Sequence, residues 1–181
     1  MKISVPFYSQ YQDVLSPEWK PRACAVTCLK MVLDFHRTRF DATIPNLSEL
    51  ITEGVSMTGF SAEEGWSHDI LVLLAHNRGI PAYREEFRSR FRESQMEALG
   101  LEKISKVLQS GNPVIVSVSR QFRDKDKFHQ VVLSGIENSN GEVVGFYYHD
   151  PEFTGSEEGS HLFVSSSEFS EHWRKFAIFI G

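Results

Sequence analysis

Cysteine is scarce in this sequence, where only Cys24 and Cys28 occur among 181 residues. Two cysteines do not make the disulfide framework of a small secreted protein, so a reducing compartment is the default. No apolar run approaches the roughly 18 residues that would span a membrane. The first ten residues, MKISVPFYSQ, carry one lysine and no long apolar region, and as they stand they are not a signal peptide. We therefore expect a cytoplasmic protein without a membrane segment, unless an upstream targeting segment has been removed.

An excess of positive charge is also missing. The 24 acidic and 19 basic residues give a formal net charge of −5, which argues against a nucleic-acid partner because such proteins usually present a basic face. The sequence has no internal repeat, no low-complexity tract and no glycine-rich phosphate-binding loop. The hydrophobic fraction of 41% supports a real core. Residues 1–181 are therefore predicted to form one domain of ordinary size.

Hydrophobic periodicity predicts helices in the first half of the chain and strands in the second. The predicted helices contain ACAVTCLKMVLDFH, which begins near Ala23 or Cys24, then NLSELI, SHDILVLLAHNRG and LEKISKVLQSG. The predicted strands contain NPVIVSVS, HQVVLSGIE, EVVGFYYHD and KFAIFI, with the turn NSNG between the second and the third. Ser67 is the predicted cap of the third helix, and Gly79 is its predicted end. Helices followed by antiparallel strands are typical of an α+β domain.

The two cysteines, four residues apart at the front of a predicted helix, admit four interpretations. Zinc would need about four ligands, and neither a second cysteine pair nor a suitably spaced histidine pair accompanies them. A disulfide across one helical turn is geometrically awkward, and a buried, inert thiol is the usual state of cysteine in a helix. A nucleophile belongs at a helix N-terminus, where free N–H groups and the dipole favour the thiolate. Cys24 occupies that position, whereas Cys28 lies one turn further in.

A base and an orienting acid for such a nucleophile come from the predicted hairpin. If the turn NSNG is a four-residue loop, His129 lies opposite Asp150. If the loop consists of its last two residues alone, Asp150 is the diagonal neighbour of His129. In both registers the two side chains share one face of the sheet, and His149 points to the other face. Together with Cys24 these residues predict a catalytic constellation.

Six segments of the chain, in this order, resemble the bacteriocin-processing (double-glycine leader) cysteine peptidase-like family. They are VPFYSQYQD, ACAVTCLKMVL, GWSHDILVLLAHNRGI, GNPVIVSV, FHQVVLSGI and YYHDPEF, and they run through nearly the whole chain. The resemblance implies a papain-like fold, in which a nucleophile at the start of the central helix packs on a C-terminal antiparallel sheet. It also implies a bacterial enzyme that uses no metal and no cofactor.

The resemblance further assigns roles to individual residues. Cys24 would be the nucleophile, His129 the general base and Asp150 the group that orients the imidazole. A glutamine upstream of the cysteine would donate to the oxyanion, with Gln10 as the better match and Gln12 as the alternative. The chain departs from the family pattern by having Cys-Ala where Cys-Gly is usual, and the gap between the glutamine and the cysteine is longer than in compact members.

These observations predict a stand-alone cysteine peptidase or amide hydrolase that acts on a peptide or protein through an acyl-enzyme. Without a membrane span or an ATPase loop, the transporter-coupled role of the best-known family members does not carry over. Two alternatives stay open. The acyl group could pass to an amine or thiol, which makes an acyl- or peptidyl-transferase, or the fold could be a catalytically silent peptide-binding module. Trp19, Trp66 and Phe153 are candidate cleft residues, although ordinary core or loop packing is the stronger explanation for each of them.

Overall fold

The computed structural model describes residues 1–181 and combines helices with one large sheet. The helices are α1 (Cys24–His36), α2 (Leu47–Ser56), α3 (His68–His76), α4 (Glu93–Gln109), α5 (Ser156–Gly159) and α6 (Ser166–His172), and a 3-10 turn spans Lys20–Arg22. The strands are β1 (Phe60–Ser61), β2 (Gly65–Trp66), β3 (Ala82–Glu86), β4 (Val114–Arg120), β5 (Asp124–Ser139), β6 (Glu142–His149), β7 (Leu162–Ser165) and β8 (Trp173–Ile180). The α+β class predicted from the sequence is confirmed. None of the helices has the length and apolar character needed to cross a bilayer.

Six strands form one antiparallel sheet in the order β3-β8-β4-β5-β6-β7. Strand β4 is buried from Val114 to Ser119, as the run VIVSVS, apolar at four of its six positions, predicts for a strand covered on both faces. The last strand of the chain, β8, returns to the middle of the sheet and lies between β3 and β4. Residues far apart in the sequence therefore become neighbours along these strands.

Helix α1 is the central helix, because it is apolar around most of its circumference. Nine of its thirteen residues are buried, and a helix with so little polar surface belongs in the interior. It packs against β5 and β4 on one side and against α2 and α3 on the other. Its first residue, Cys24, is thereby held where the sheet and the helical part of the molecule meet.

The predicted helix ends agree with the structure to different degrees. Asn46 caps α2 with a complete capping box: its side chain accepts the N–H of Glu49 at 3.0 Å, and the Glu49 carboxylate accepts the N–H of Asn46 at 2.9 Å. Ser67 is the N-cap residue of α3, but its side chain makes no capping hydrogen bond. Gly79 follows that helix with a positive φ of 71°, which favours glycine.

The predicted segregation of helices before strands is incomplete, because β1, β2 and β3 precede α4 and because α5 and α6 follow β6. Strand β3 lies between α3 and α4 and pairs with β8 at the edge of the sheet. Three of its five residues are charged and three are exposed, so the segment lacks the apolar alternation that identifies a strand. The separate β1–β2 hairpin was also not predicted, because two residues on each side are too few for a periodic pattern.

The hairpin between β5 and β6 has the second of the two predicted registers. Asn140 and Gly141, with φ values of 52° and 86°, form a two-residue turn of the type that joins twisted strands tightly. Two register shifts along the hairpin cancel, because Val132 pairs with His149 as it would in an uninterrupted ladder. The predicted histidine and aspartate therefore lie near each other at the end of this pair of strands.

Candidate active site

Cys24 is the first residue of α1, at the helix end that the sequence predicts. A 3-10 turn that contains Pro21 leads into the helix, and Ala23 occupies the N-cap position without a capping side chain. The first N–H groups of the helix are therefore available to a negative charge. The Cys24 side chain is partly exposed in a cleft.

His129 and Asp150 are both buried and bonded to each other. Nε2 of His129 lies 2.6 Å from Oδ1 of Asp150, and the same oxygen accepts the backbone N–H of Glu152 at 2.9 Å. The second ring nitrogen of His129 is left for the thiol of Cys24, and the two groups lie close enough to shift each other's pKa. The structure thus brings together the three residues that the sequence singles out.

The surroundings of these groups favour a thiolate beside an imidazolium. Burial opposes ionisation of Cys24, but the hydrogen bond with His129 and the backbone N–H groups of Gln130 and Ala25 outweigh it, so the pKa of the thiol falls below its ordinary value. Burial also opposes the charged form of His129, yet Asp150 and the cysteine raise the pKa of the imidazole to about 10. One pKa falls and the other rises, so both shifts favour a proton on the His129 nitrogen over a proton on the Cys24 sulfur.

Cys28 has the opposite character. It is completely buried, and its Sγ donates to the backbone carbonyl of Gln130 at 3.2 Å. Burial raises the pKa of its thiol well above the ordinary value, and the negative charges of Cys24 and Asp150 raise it further. A thiol in this state is a poor nucleophile. The buried and inert interpretation therefore fits Cys28, and the helix-terminus interpretation fits Cys24.

The two candidate oxyanion donors lie in different places. Gln10 is buried beside the part of the cleft that contains Cys24 and His129. Its Nε2 donates to the Lys20 carbonyl at 2.9 Å, which fixes the amide and leaves a second N–H on the same nitrogen. Gln12 is exposed and borders a separate depression lined by residues 154–158. The position of Gln10 beside the cleft therefore makes it the better candidate for the oxyanion donor.

The cleft continues on both sides of Cys24, and the β1–β2 hairpin forms one of its walls. Trp66 lines the cleft, and its indole N–H donates to the Arg22 carbonyl at 2.8 Å. Trp19 packs behind this tryptophan, with 5.7 Å between the ring centroids. Phe153, the third candidate aromatic, is not among the residues that line the cleft. Of the three candidate aromatics, Trp66 therefore lines the cleft and Trp19 supports it from behind.

Three side chains form the one group compact enough to suggest a metal site. The ligand atoms of His129, Asp150 and Glu152 lie within 4.8 Å of one another. Each already has a partner in the protein, since His129 and Asp150 bind each other and Arg120 forms an ion pair with Glu152. The geometry fits a hydrogen-bonded network that holds the turn after β6 beside the imidazole.

Sequence reasoning did not identify three polar residues that also line the cleft. They are His68 at the start of α3, Ser117 on β4 and Arg174 on β8. His68 begins a predicted helix, and Ser117 and Arg174 belong to segments with no catalytic pattern. Only the strand order, which places β8 beside β4, brings them to one site.

A comparison with family models gives one match. The model described as Peptidase_C39 like family matches residues 2–177, which is nearly the whole chain. No match was found among curated proteins.

Solved structures with a similar fold include several C39 peptidase domains. A structure described as a C39-like peptidase from Bacillus anthracis has a TM-score of 0.66 and 19% identity, covering 100% of this chain and 98% of that one. The double-glycine motif protease of an AMS/PCAT transporter, in complex with its leader peptide, has a TM-score of 0.60 and 17% identity, covering 99% and 92%. The peptidase domain of Streptococcus ComA, a bifunctional ABC transporter, has a TM-score of 0.59 and 16% identity, covering 89% and 92%. At these identities the likeness concerns the fold, which is the papain-like fold that the sequence resemblance implies.

Proposed function

This chain belongs to the Peptidase_C39-like family and is therefore a cysteine peptidase; on that premise we propose that it hydrolyses peptide bonds through Cys24, His129 and Asp150. The observation that carries the proposal is the position of one imidazole between a carboxylate, 2.6 Å from its Nε2, and a thiol at the start of a helix. A nucleophile, a base and a group that orients the base are the elements of a cysteine peptidase triad.

The proposed reaction starts from the charged pair. The Cys24 thiolate attacks the carbonyl carbon of the scissile peptide bond, and the carbonyl oxygen becomes an oxyanion. The free N–H of Gln10 Nε2 and the backbone N–H of Cys24 donate to that oxygen. His129 then gives its proton to the leaving amine, and an acyl-enzyme remains on sulfur.

Water resolves the acyl-enzyme in the second half of the reaction. The imidazole of His129, now neutral, takes a proton from the water as it attacks the thioester carbonyl. Collapse of this second oxyanion releases the carboxylic acid product and the thiolate, and His129 is again protonated. Asp150 keeps the ring in place and stabilises its positive charge throughout, without exchanging protons itself.

Two further parts of the proposal concern the substrate and the compartment. A peptide is the proposed substrate, which the complex of the AMS/PCAT transporter protease with its leader peptide supports. The cytoplasm is the proposed compartment, because both cysteines are free and the reaction needs a reduced Cys24.

A short iodoacetamide pulse near pH 7, followed by mass mapping, tests the assignment of the nucleophile. Cys24 should carry the label and Cys28 should not, because the helix start and His129 favour the thiolate of the first while burial suppresses that of the second. Cleavage of peptides from a digested proteome should disappear in Cys24→Ala and persist in the matched control Cys28→Ala. Equal labelling of the two cysteines, or cleavage by Cys24→Ala, would contradict the proposal.

A further inference from the structure

The cleft on the side of Cys24 away from Gln10 forms a polar pocket of about 290 Å³. Its walls include Trp66, His68, Ser117, Phe128, Gln130 and Arg174, and we refer to it as the Arg174 pocket. The volume lies near the lower end of the range for small-ligand pockets, which suits one side chain of a bound peptide better than a larger molecule. The polar groups that line the pocket determine which type of peptide side chain it can bind.

Arg174 brings an unpaired positive charge into this pocket. Its guanidinium carbon lies over the ring of Phe128, 3.2 Å from the ring centroid. It takes part in none of the ion pairs of the protein, although nearly every other buried or half-buried cation has an acidic partner. Burial and the nearby charge of Arg88 lower the pKa of Arg174. Both effects disfavour the charged guanidinium, so a bound anion would stabilise it.

The absence of a partner for Arg174 is notable because the protein is acidic overall. The chain carries five more acidic than basic residues, and yet the only acid among the residues lining the pocket is Glu64, at the exposed tip of the β1–β2 hairpin. Glu64 forms an ion pair with neither Arg174 nor Arg22, the second cation of the pocket. The guanidinium therefore faces the pocket without a carboxylate of the protein.

Ser117 and His68 supply a hydrogen-bond donor beside the guanidinium. Nε2 of His68 lies 3.0 Å from Oγ of Ser117. Burial and the charges of Arg84 and Arg174 lower the pKa of His68, which favours the neutral ring with one N–H. With that proton on Nε2, His68 donates to Ser117, and the hydroxyl proton of Ser117 remains available to a ligand.

Gln130 provides an acceptor in the same pocket. It pairs with Ser117 across β4 and β5, and it is 7% exposed. Its side-chain Oε1 is buried and has no hydrogen-bond partner, a state that proteins avoid because it costs about 1–3 kcal/mol. Gln130 lines the pocket, and a rotation of its side chain would bring this oxygen to the cleft, where a peptide backbone N–H would satisfy it. The pocket thus offers a cation, a donor and an acceptor to a bound peptide.

We propose that the Arg174 pocket selects an aspartate or glutamate side chain of the substrate peptide, near the scissile bond. The carboxylate would bind the guanidinium of Arg174 and the hydroxyl of Ser117, while Gln130 Oε1 accepts a backbone N–H of the same peptide. This inference rests on the proposed function of Cys24, since it places the acidic side chain in the cleft where that thiol reacts.

Matched covalent probes test the inference without a known substrate. The probes are tripeptidyl chloromethyl ketones in which one of the three positions is Glu or its neutral analogue Gln and the others are Gly or Ala. The rate of Cys24 alkylation is measured by intact mass for each pair. In the wild type we expect Glu to label about tenfold faster than Gln at one position, the effect of a hydrogen bond to a charged group.

Variants assign that preference to the pocket. Arg174→Gln should bring the ratio of the two rates to about one, and Arg174→Glu should reverse it, while Ser117→Ala should reduce it in part. Arg37→Glu is the matched control. It changes the net charge equally at the exposed far end of α1, about 20 Å from Cys24 along the helix, and it should keep the wild-type ratio.

The outcomes separate the inference from the proposed function. Alkylation of Cys24 with no preference for Glu at any position overturns the inference and leaves the proposed function intact. The same holds if the preference survives in Arg174→Gln, or if iodoacetamide labels Cys24 and the ketones do not. Failure of every reagent, iodoacetamide included, overturns the proposed function and the inference with it. If Arg174→Glu does not fold, Arg174→Gln, which keeps a similar size, gives the decisive ratio.

Discussion

At the scale of single residues, the site separates two cysteines one helical turn apart into opposite chemical states. Cys24 has free helix N–H groups and an imidazole beside it, and Cys28 has only a carbonyl acceptor and the core. The difference does not come from the residue type but from one turn of helix. In the proposed mechanism the Cys24 thiolate forms before the substrate binds, and this contrast between the two cysteines is the basis for that step.

Removal of the orienting carboxylate should weaken the reaction without abolishing it. We expect Asp150→Ala to lower turnover of a peptide substrate by about 10²–10⁴-fold, because the ring loses its fixed orientation while the nucleophile remains. The pKa of His129 should fall, and the pKa of Cys24 should rise with the loss of a stable imidazolium. The pH profile of Cys24 alkylation between pH 5 and 9 should then move to higher pH.

Asp126→Ala is the matched control for this variant, because Asp126 is an exposed acid on the same strand, β5. It should keep the wild-type rate and profile. A wild-type rate and profile for Asp150→Ala would remove Asp150 from the proposed mechanism, whatever its distance from the ring.

At the scale of elements, the cleft wall depends on the packing of α2 against Trp66. A Cβ added to Gly54 in α2 would lie 2.6 Å from Cζ3 of Trp66. Gly54→Ala should therefore displace the indole and cost about 1–3 kcal/mol of stability, as overpacking of a core does. Urea unfolding and tryptophan fluorescence measure the two effects.

The control for that substitution is Gly155→Ala, which adds the same methyl group where no atom lies within 4 Å. It should leave the urea midpoint and the emission maximum of the tryptophans unchanged. If Gly54→Ala behaves like this control, the wall of the cleft is not held by α2.

The elements that the sequence predicts are those with a long apolar period. α1 and β4 are apolar over most of their length, so their type and position could be predicted closely. Strand β3 could not be predicted, because it is an edge strand with charged residues facing solvent. It is stabilised by pairing with β8, the last strand of the chain. The hydrophobic periodicity of a sequence reflects which side chains are buried, and an exposed edge strand buries few of them.

At the scale of the whole molecule, two buried histidines should make the fold sensitive to acid. Burial lowers the pKa values of His36 and His149 to about 4, with the charge of Arg39 adding for the first and that of His161 for the second. Between pH 6.5 and 4 the unfolded chain binds more protons than the folded one, so stability falls as the pH falls. At pH 5 each histidine lowers the free energy of unfolding by about 2 kcal/mol.

Urea unfolding at pH 7.5 and pH 5 measures this loss. His149→Leu removes one titrating group, and neither ring nitrogen of His149 has a hydrogen-bond partner to lose. The difference in free energy of unfolding between the two pH values should therefore shrink by about 2 kcal/mol relative to the wild type. An unchanged difference would show that His149 is already protonated in the fold or is not buried there.

The whole-molecule topology also sets the limit of what the sequence could predict about the site. The helix start at Cys24 and the shared face of His129 and Asp150 are local features, whereas the packing of α1 on β5 that joins them is implied by the family resemblance alone. Arg174 and Ser117 meet only because β8 inserts beside β4, after more than 50 residues of intervening chain. No local pattern encodes that insertion, so the Arg174 pocket could not be predicted from the sequence.

The cancelling register shifts between β5 and β6 have a consequence for how this hairpin can change in length. The side chains of paired strands alternate between faces, so one inserted or deleted residue in the β5–β6 hairpin would turn His149 toward His129 in place of Asp150. An insertion or deletion of two residues would leave His129 and Asp150 on the same face of the sheet. Homologues that retain activity should therefore gain or lose residues in this hairpin in even steps, and a single-residue deletion should inactivate the enzyme more completely than most substitutions.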